Sequence, residues 1–201
     1  MEETLGGRIY EASCFINDIY KQVQLLLLAC DAAFDRAGLM PATGNEVELH
    51  RARNIYEAGA WSQRAVGRTY VPRRLDGDGI NAFVAVEVHL RPTSATHALL
   101  VLAYAEPSAG ATPPELARQY RDGEWLEDLL GPTAPGQTEW RGGRAEHATH
   151  LSLADELKLQ SWPVTAFTDE SAIDQVLVAR LREWAAQRRK EAPRPDSRHT
   201  R

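Results

Sequence analysis

Residues 8–37 read RIYEASCFINDIYKQVQLLLLACDAAFDRA, and this stretch decides the fold of the chain. Apolar residues recur in it at alternating spacings of three and four, the pattern of an α-helix with one apolar face. Gly38 follows as a left-handed helix stop, and Pro41 prevents the helix from resuming. We therefore predict one long amphipathic helix, whose apolar positions are Ile9, Ala12, Ile16, Ile19, Val23, Leu26, Cys30, Ala33 and Ala37.

The length of this helix is informative in itself. A helix of about 29 residues is roughly 44 Å long, and a compact domain of this size has a diameter of about 43 Å. We expect the helix either to span the whole domain or to project beyond it. In the second case part of its apolar face is left for a partner.

The rest of the chain alternates extended segments with two further helices. One helix begins at the Thr112-Pro-Pro-Glu115 capping box and another is capped by Thr168, with Ile173, Leu177 and Trp184 on its apolar face. The pattern also suggests a short capped helix from Ser152 to Leu159. The segments that favour strands are Val47–Leu49, Val66–Val71, Ala82–Leu90, Ala98–Ala105, Thr138–Trp140 paired with Ala145–Leu151, and Trp162–Phe167.

These elements predict an α+β fold. We expect a single domain over residues 1–190, in which an antiparallel sheet of about four to six strands packs against the long N-terminal helix and a C-terminal helix. Residues 191–201 are polar, basic and interrupted by Pro193 and Pro195, so they predict a disordered tail.

Composition and cysteine spacing favour a cytoplasmic protein. The chain has 201 residues and a net charge of −5. Cys14 and Cys30 would lie roughly 24 Å apart on one helix, too far for a disulfide, so free thiols in a reducing compartment are expected. The acidic start and the lack of a long apolar run predict neither a secretory signal nor a membrane span.

Glu87 and His89 are the weak candidates for catalysis, because positions i and i+2 of a strand share one face of a sheet. A carboxylate and an imidazole in this arrangement can hold a metal ion or act as a base and its orienting partner. His50, His147 and His150 could supply further imidazole ligands, but the sequence does not show that they converge with this pair. The plainer interpretation is an ordinary solvated sheet face, so no metal site and no cofactor are predicted.

Arg68, Tyr70, Arg73 and Arg74 are the candidate binding residues, with Arg64 and Trp61 nearby in the sequence. Arginine and aromatic side chains can hold phosphates and stack on bases. Together with the basic tail, this stretch makes a nucleic-acid-binding protein one alternative function. Charged side chains also protect exposed strand edges from pairing, which is the ordinary explanation for such a stretch.

The function that we expect is non-catalytic: an intracellular binding or accessory protein that acts through protein–protein contacts and self-associates as a homodimer. The oversized helix favours it, and the familiar signatures of P-loop, Rossmann and α/β-hydrolase enzymes are missing from the sequence. A metal-dependent hydrolase or nuclease using Glu87 and His89 is the competing enzyme hypothesis. Whether that pair shares a pocket with a third ligand distinguishes the two classes.

Overall fold

The computed structural model describes residues 4–50, 65–75, 79–90, 96–122, 137–141 and 153–191. A long helix, α1 (Leu5–Arg36), comes first and is followed by strands β1 (Leu39–Pro41) and β2 (Glu48–His50). Three long strands then form the centre of the sheet, β3 (Ala65–Pro72), β4 (Phe83–His89) and β5 (Leu99–Pro107). The chain continues through helix α2 (Pro113–Asp122) and strands β6 (Gln137–Arg141) and β7 (Ala154–Pro163).

The C-terminal helix, α3, closes the domain. It consists of an α-helical turn over Glu170–Ile173, a π-helical segment over Asp174–Val178 and an α-helix over Ala179–Glu191. Its N-cap is Asp169 rather than Thr168, because the Asp169 carboxylate accepts the Ala172 N–H. That hydrogen bond and one from the Ser171 hydroxyl lower the pKa of Asp169.

The seven strands form one antiparallel sheet in the order β1-β3-β4-β5-β7-β6, and β2 pairs with the same edge of β3 as β1. One face of the sheet packs against α1 and α3, and the other packs against α2. Every residue of β3 and β4 is buried because both faces are covered. The predicted single-domain α+β fold, with a long helix at the N-terminus and a helix at the C-terminus, is confirmed.

The predicted helix over Ser152–Leu159 is wrong. Ala154–Pro163 is strand β7, which pairs with β5 along its whole length and with β6 on its other side. Ser152 and Asp155 resemble a capped helix start, but the alternation of Leu157 and Leu159 with polar residues is a strand pattern. The predicted strand over Trp162–Phe167 is also wrong. Strand β7 ends at Pro163, and Val164–Ala166 form a 3-10 turn.

Helix α1 begins earlier than its uninterrupted stretch suggests. The Thr4 hydroxyl accepts the Gly7 N–H at 3.3 Å and caps a helix that includes Gly6 and Gly7. At the other end Gly38 adopts a positive φ of 84°, as a left-handed stop requires. The result is a helix of 32 residues, about 48 Å long. No helix within the described ranges combines the length and the apolar character needed to cross a membrane.

Candidate functional site

Glu87 and His89 do lie on one face of β4, but that face is not solvated, which corrects the plainer interpretation of the pair. Glu87 is 1% exposed and His89 is 4% exposed, because α2 covers this side of the sheet. The Glu87 Oε2 and His89 Nε2 atoms are 2.8 Å apart. The Tyr120 hydroxyl of α2 donates to the other carboxylate oxygen of Glu87, so the three side chains form one buried hydrogen-bonded group.

The sheet makes room for this carboxylate at Gly67, the residue opposite Glu87 on β3. A Cβ at position 67 would stand 2.8 Å from Glu87 Cγ and 3.0 Å from the Val86 carbonyl oxygen, closer than side chains approach one another. Glycine at this position therefore follows from the buried Glu87 side chain. Tyr120 was missed from the sequence, although its i+4 spacing from Leu116 on a well-capped helix placed it on the apolar face of α2.

The side chains that surround Glu87 and His89 in the described residues offer no further metal ligand of the carboxylate, imidazole or thiolate kind. In the described part of the chain, no set of three or more His, Cys, Asp or Glu side chains is placed to hold a metal ion. The third side chain that joins Glu87 and His89 is a tyrosine hydroxyl, and all three side chains are at most 4% exposed. His147 and His150 lie outside the described residues, as do Arg64, Trp61 and the tail.

Arg68 and Tyr70, two of the predicted binding residues, converge on a carboxylate that the sequence did not single out. Asp31 of α1 accepts hydrogen bonds from both the Nε and the Nη2 atoms of Arg68, at 3.2 and 2.7 Å. The Tyr70 hydroxyl donates to the same carboxylate at 2.8 Å, and Arg68 also donates to the Glu46 carbonyl oxygen at 2.7 Å. This cluster ties the C-terminal half of α1 to the sheet.

Burial and charge shift the pKa values of this cluster. Burial opposes the charged form of Arg68, but the hydrogen bonds and the charge of Asp31 outweigh it, so the pKa of Arg68 is raised. Burial is also the largest cause for Tyr70, whose pKa lies well above its ordinary value. Arg68 is therefore a neutralised structural cation, and Tyr70 is a neutral hydrogen-bond donor.

Arg73 and Arg74 lie apart from that cluster, at the end of β3. Arg73 forms an ion pair with Asp35 of α1, and both side chains are about half exposed. Arg74 is exposed. The four predicted binding residues therefore do not form one basic surface: two are engaged with Asp31, one with Asp35, and Arg74 is exposed.

A groove of about 580 Å³ opens beside the Asp31 cluster, between α1 and the edge formed by β2 and β3. Its lining is mostly apolar, with Asp31 and Arg68 at one end. Three of its apolar side chains are exposed: Leu28 at 54%, Val47 at 42% and Leu49 at 53%. The remaining lining residues are Tyr20, Val23, Gln24, Leu27, Asn45 and Val66.

The two halves of α1 differ sharply in what covers them. In the anchored half, residues 19–36, the buried side chains are Val23, Leu27, Cys30, Ala33 and Phe34. In the overhang, residues 5–18, every residue except Gly7 is exposed. The exposed apolar side chains of the overhang include Leu5, Ile9, Phe15 and Ile16, at 71%, 59%, 67% and 45%.

Comparison of the chain with protein-family models, with curated proteins and with solved structures found no match.

Proposed function

We propose that this chain is a non-catalytic binding or accessory protein that acts through protein–protein contacts, and that the overhang of α1 is its binding element. The single observation that carries the proposal is the exposed apolar face that α1 presents beyond the edge of its own sheet. Scattered exposed apolar residues are ordinary on a protein surface, but a contiguous strip at helical spacing is typical of a site that binds another protein.

The stability of the overhang supports the same proposal. The overhang continues the anchored half of α1, so its helix needs no nucleus of its own, but propagation without tertiary contacts adds little stability per residue. A second protein surface that covers its apolar face would therefore stabilise the overhang further.

The enzyme and nucleic-acid hypotheses find less support. Glu87 and His89 are covered by α2, whereas a hydrolase must admit a substrate to its carboxylate. Arg68 is paired with Asp31 and Arg73 with Asp35, so two of the four predicted phosphate-binding residues are already engaged by carboxylates. We propose a cytoplasmic setting, because both cysteines are free thiols on one helix.

Affinity purification from cells of the native host tests the proposal with three versions of the chain. The overhang variant carries Ile9→Glu and Phe15→Glu, which place two charges on the apolar face. The control variant carries Tyr10→Glu and Asn17→Glu, which place the same charges on the opposite side of the same segment.

We expect the natural chain and the control variant each to retain one protein in stoichiometric amount. That protein is either a second copy of the chain or a different protein. The overhang variant should lose it. If all three versions retain the same proteins in the same amounts, the overhang is not the binding element and the proposal fails.

A further inference from the structure

We infer that the partner of the overhang is a second copy of this chain, and that each overhang lies in the other copy's groove between α1 and the β2–β3 edge. The inference rests on the proposed function and names its partner. The two copies form a two-fold dimer in which the α1 helices run antiparallel and each chain contributes one overhang and one groove.

The first support is the continuity of the apolar face along α1. Positions such as Ile9 and Ile16 continue the spacing of Val23 and Cys30, so overhang and anchored half present their apolar side chains in the same direction. The anchored half lies on its own sheet. A two-fold axis that crosses α1 at right angles near residue 18 places the sheet edge of the second copy under the overhang. It lies on the side to which the apolar side chains of the overhang point.

The second support is a match in length. The surface of the overhang runs from Leu5 to Phe15, and the α1 side of the groove runs from Tyr20 to Asp31. The two stretches advance ten and eleven residues, about 15 and 17 Å along a helix. An antiparallel arrangement with its axis near residue 18 places the overhang of one copy alongside the groove-lining stretch of α1 in the other copy.

The third support is that both surfaces are apolar and exposed in the single chain. Leu28, Val47 and Leu49 line the groove and are each exposed by two-fifths or more, like the apolar side chains of the overhang. An amphipathic helix in an apolar groove is a recurring mode of recognition. Docking therefore covers two apolar surfaces at once.

Charge agrees with this arrangement. Arg8 and Glu11 are the two charged residues of the overhang surface, and Arg8 is the one nearer its N-terminal end. The axis near residue 18 places Arg8 within one helical turn of the partner's Asp31 and on the side of the partner's Glu46, whose side chain is exposed. A parallel arrangement would instead bring the two Arg8 side chains together, which is unfavourable.

The proposed dimer is a closed assembly. Because the two contacts are related by a two-fold axis, the assembly closes at two copies and leaves no free overhang.

Mixing two complementary variants tests the inference. The overhang variant (Ile9→Glu, Phe15→Glu) keeps an intact groove. The groove variant (Leu28→Glu, Leu49→Glu) keeps an intact overhang, and its substituted side chains are exposed, so the fold tolerates them. Circular dichroism and thermal melting of each purified variant verify that both are folded, and sedimentation velocity measures their association.

Each variant alone should self-associate on the order of 100-fold more weakly than the natural chain, since a charge faces an apolar surface at both contacts. The equal mixture should form a heterodimer more tightly than either variant forms a homodimer, because one overhang–groove contact is intact. A groove variant that dimerises like the natural chain, or a mixture without heterodimers, overturns the inference.

A distance in the otherwise unchanged protein gives an independent test. A spin label on Glu11→Cys, in a Cys14→Ser background, should report backbone positions separated by roughly 20–25 Å across the dimer. Helices paired overhang to overhang would bring the same positions to about 10 Å, and that result would also overturn the inference.

The outcomes separate the two proposals. If affinity purification shows a different protein held by the overhang while the chain itself stays monomeric, the proposed function stands and this inference fails. If the overhang variant retains the same proteins as the natural chain and self-associates as tightly, both proposals fail.

Discussion

The two halves of α1 carry the same apolar periodicity and have different surroundings. In the anchored half Val23, Leu27 and Phe34 are buried against the sheet and α3, whereas Ile9 and Ile16 in the overhang face solvent in the single chain. Both halves have apolar residues at helical spacing, as expected of a helix that packs against an apolar surface along its whole length. The difference shows that periodicity reports which side of a helix is covered, and not which protein covers it.

The largest expected difference between the halves is in the core. Leu27→Ala should lower the free energy of unfolding by about 2–5 kcal/mol, because Leu27 is 4% exposed and its removal leaves a cavity. Ile16→Ala removes a similar volume from a half-exposed side chain, and in the Ile9→Glu, Phe15→Glu background, where no dimer is expected, it should change the free energy of unfolding little. Urea unfolding followed by circular dichroism measures both. Equal losses would contradict the division of α1 into two halves.

The next difference is between two carboxylates of α1, Asp31 in the anchored half and Asp18 in the overhang. Asp31→Asn should lower the free energy of unfolding by about 2–4 kcal/mol, because the Arg68 charge stays buried and loses the carboxylate that neutralises it. The matched change in the overhang, Asp18→Asn, removes only an ion pair with Lys21 whose two side chains are both well exposed. It should not move the urea midpoint measurably. A stable Asp31→Asn protein would show that the cluster does not anchor α1.

The two cysteines provide a comparison that depends on pH. Burial raises the pKa of Cys30 from 9.0 to about 12. Below pH 9 the thiol is protonated whether the chain is folded or unfolded. Between pH 9 and 12 only the unfolded chain loses the proton, so Cys30 should lower stability by about 1.4 kcal/mol per pH unit.

Cys30→Ala should remove this part of the alkaline decline, most clearly between pH 9 and 10, where the pH is still below the ordinary pKa of 10.0 for Tyr70. Cys14→Ala, which replaces the exposed thiol of the same helix, controls for the loss of a cysteine side chain. Urea midpoints at a series of pH values measure the slopes. A Cys30→Ala protein with the slope of the natural chain would mean that Cys30 is not buried in solution.

The sequence predicts local features of this fold well and long-range features poorly. The helix stop at Gly38 and the capping box of α2 follow from neighbouring residues, and the structure confirms both, with the Thr112 backbone N–H donating to the Glu115 carboxylate at 2.8 Å. Strand β7 was predicted as a helix because its identity depends on pairing with β5, whose residues lie about fifty positions earlier in the chain.

The candidate sites show the same limit. The i, i+2 spacing of Glu87 and His89 correctly placed them on one face of β4, but the burial of that face depends on α2, which packs there through long-range contacts. Asp31 carried no signal of its own in the sequence, because Arg68 and Tyr70 reach it from a strand 37 and 39 positions away. The edge of the sheet, which ends the anchored half of α1, is likewise a property of the whole fold.

Static light scattering of the purified full chain at micromolar concentration tests the central claim most directly, namely that a second copy covers the overhang. We expect a mass of twice the 22.4 kDa chain, which falls to the mass of one chain in the Ile9→Glu, Phe15→Glu variant and is unchanged in the Tyr10→Glu, Asn17→Glu control. A natural chain that scatters as 22.4 kDa throughout the micromolar range would contradict the claim.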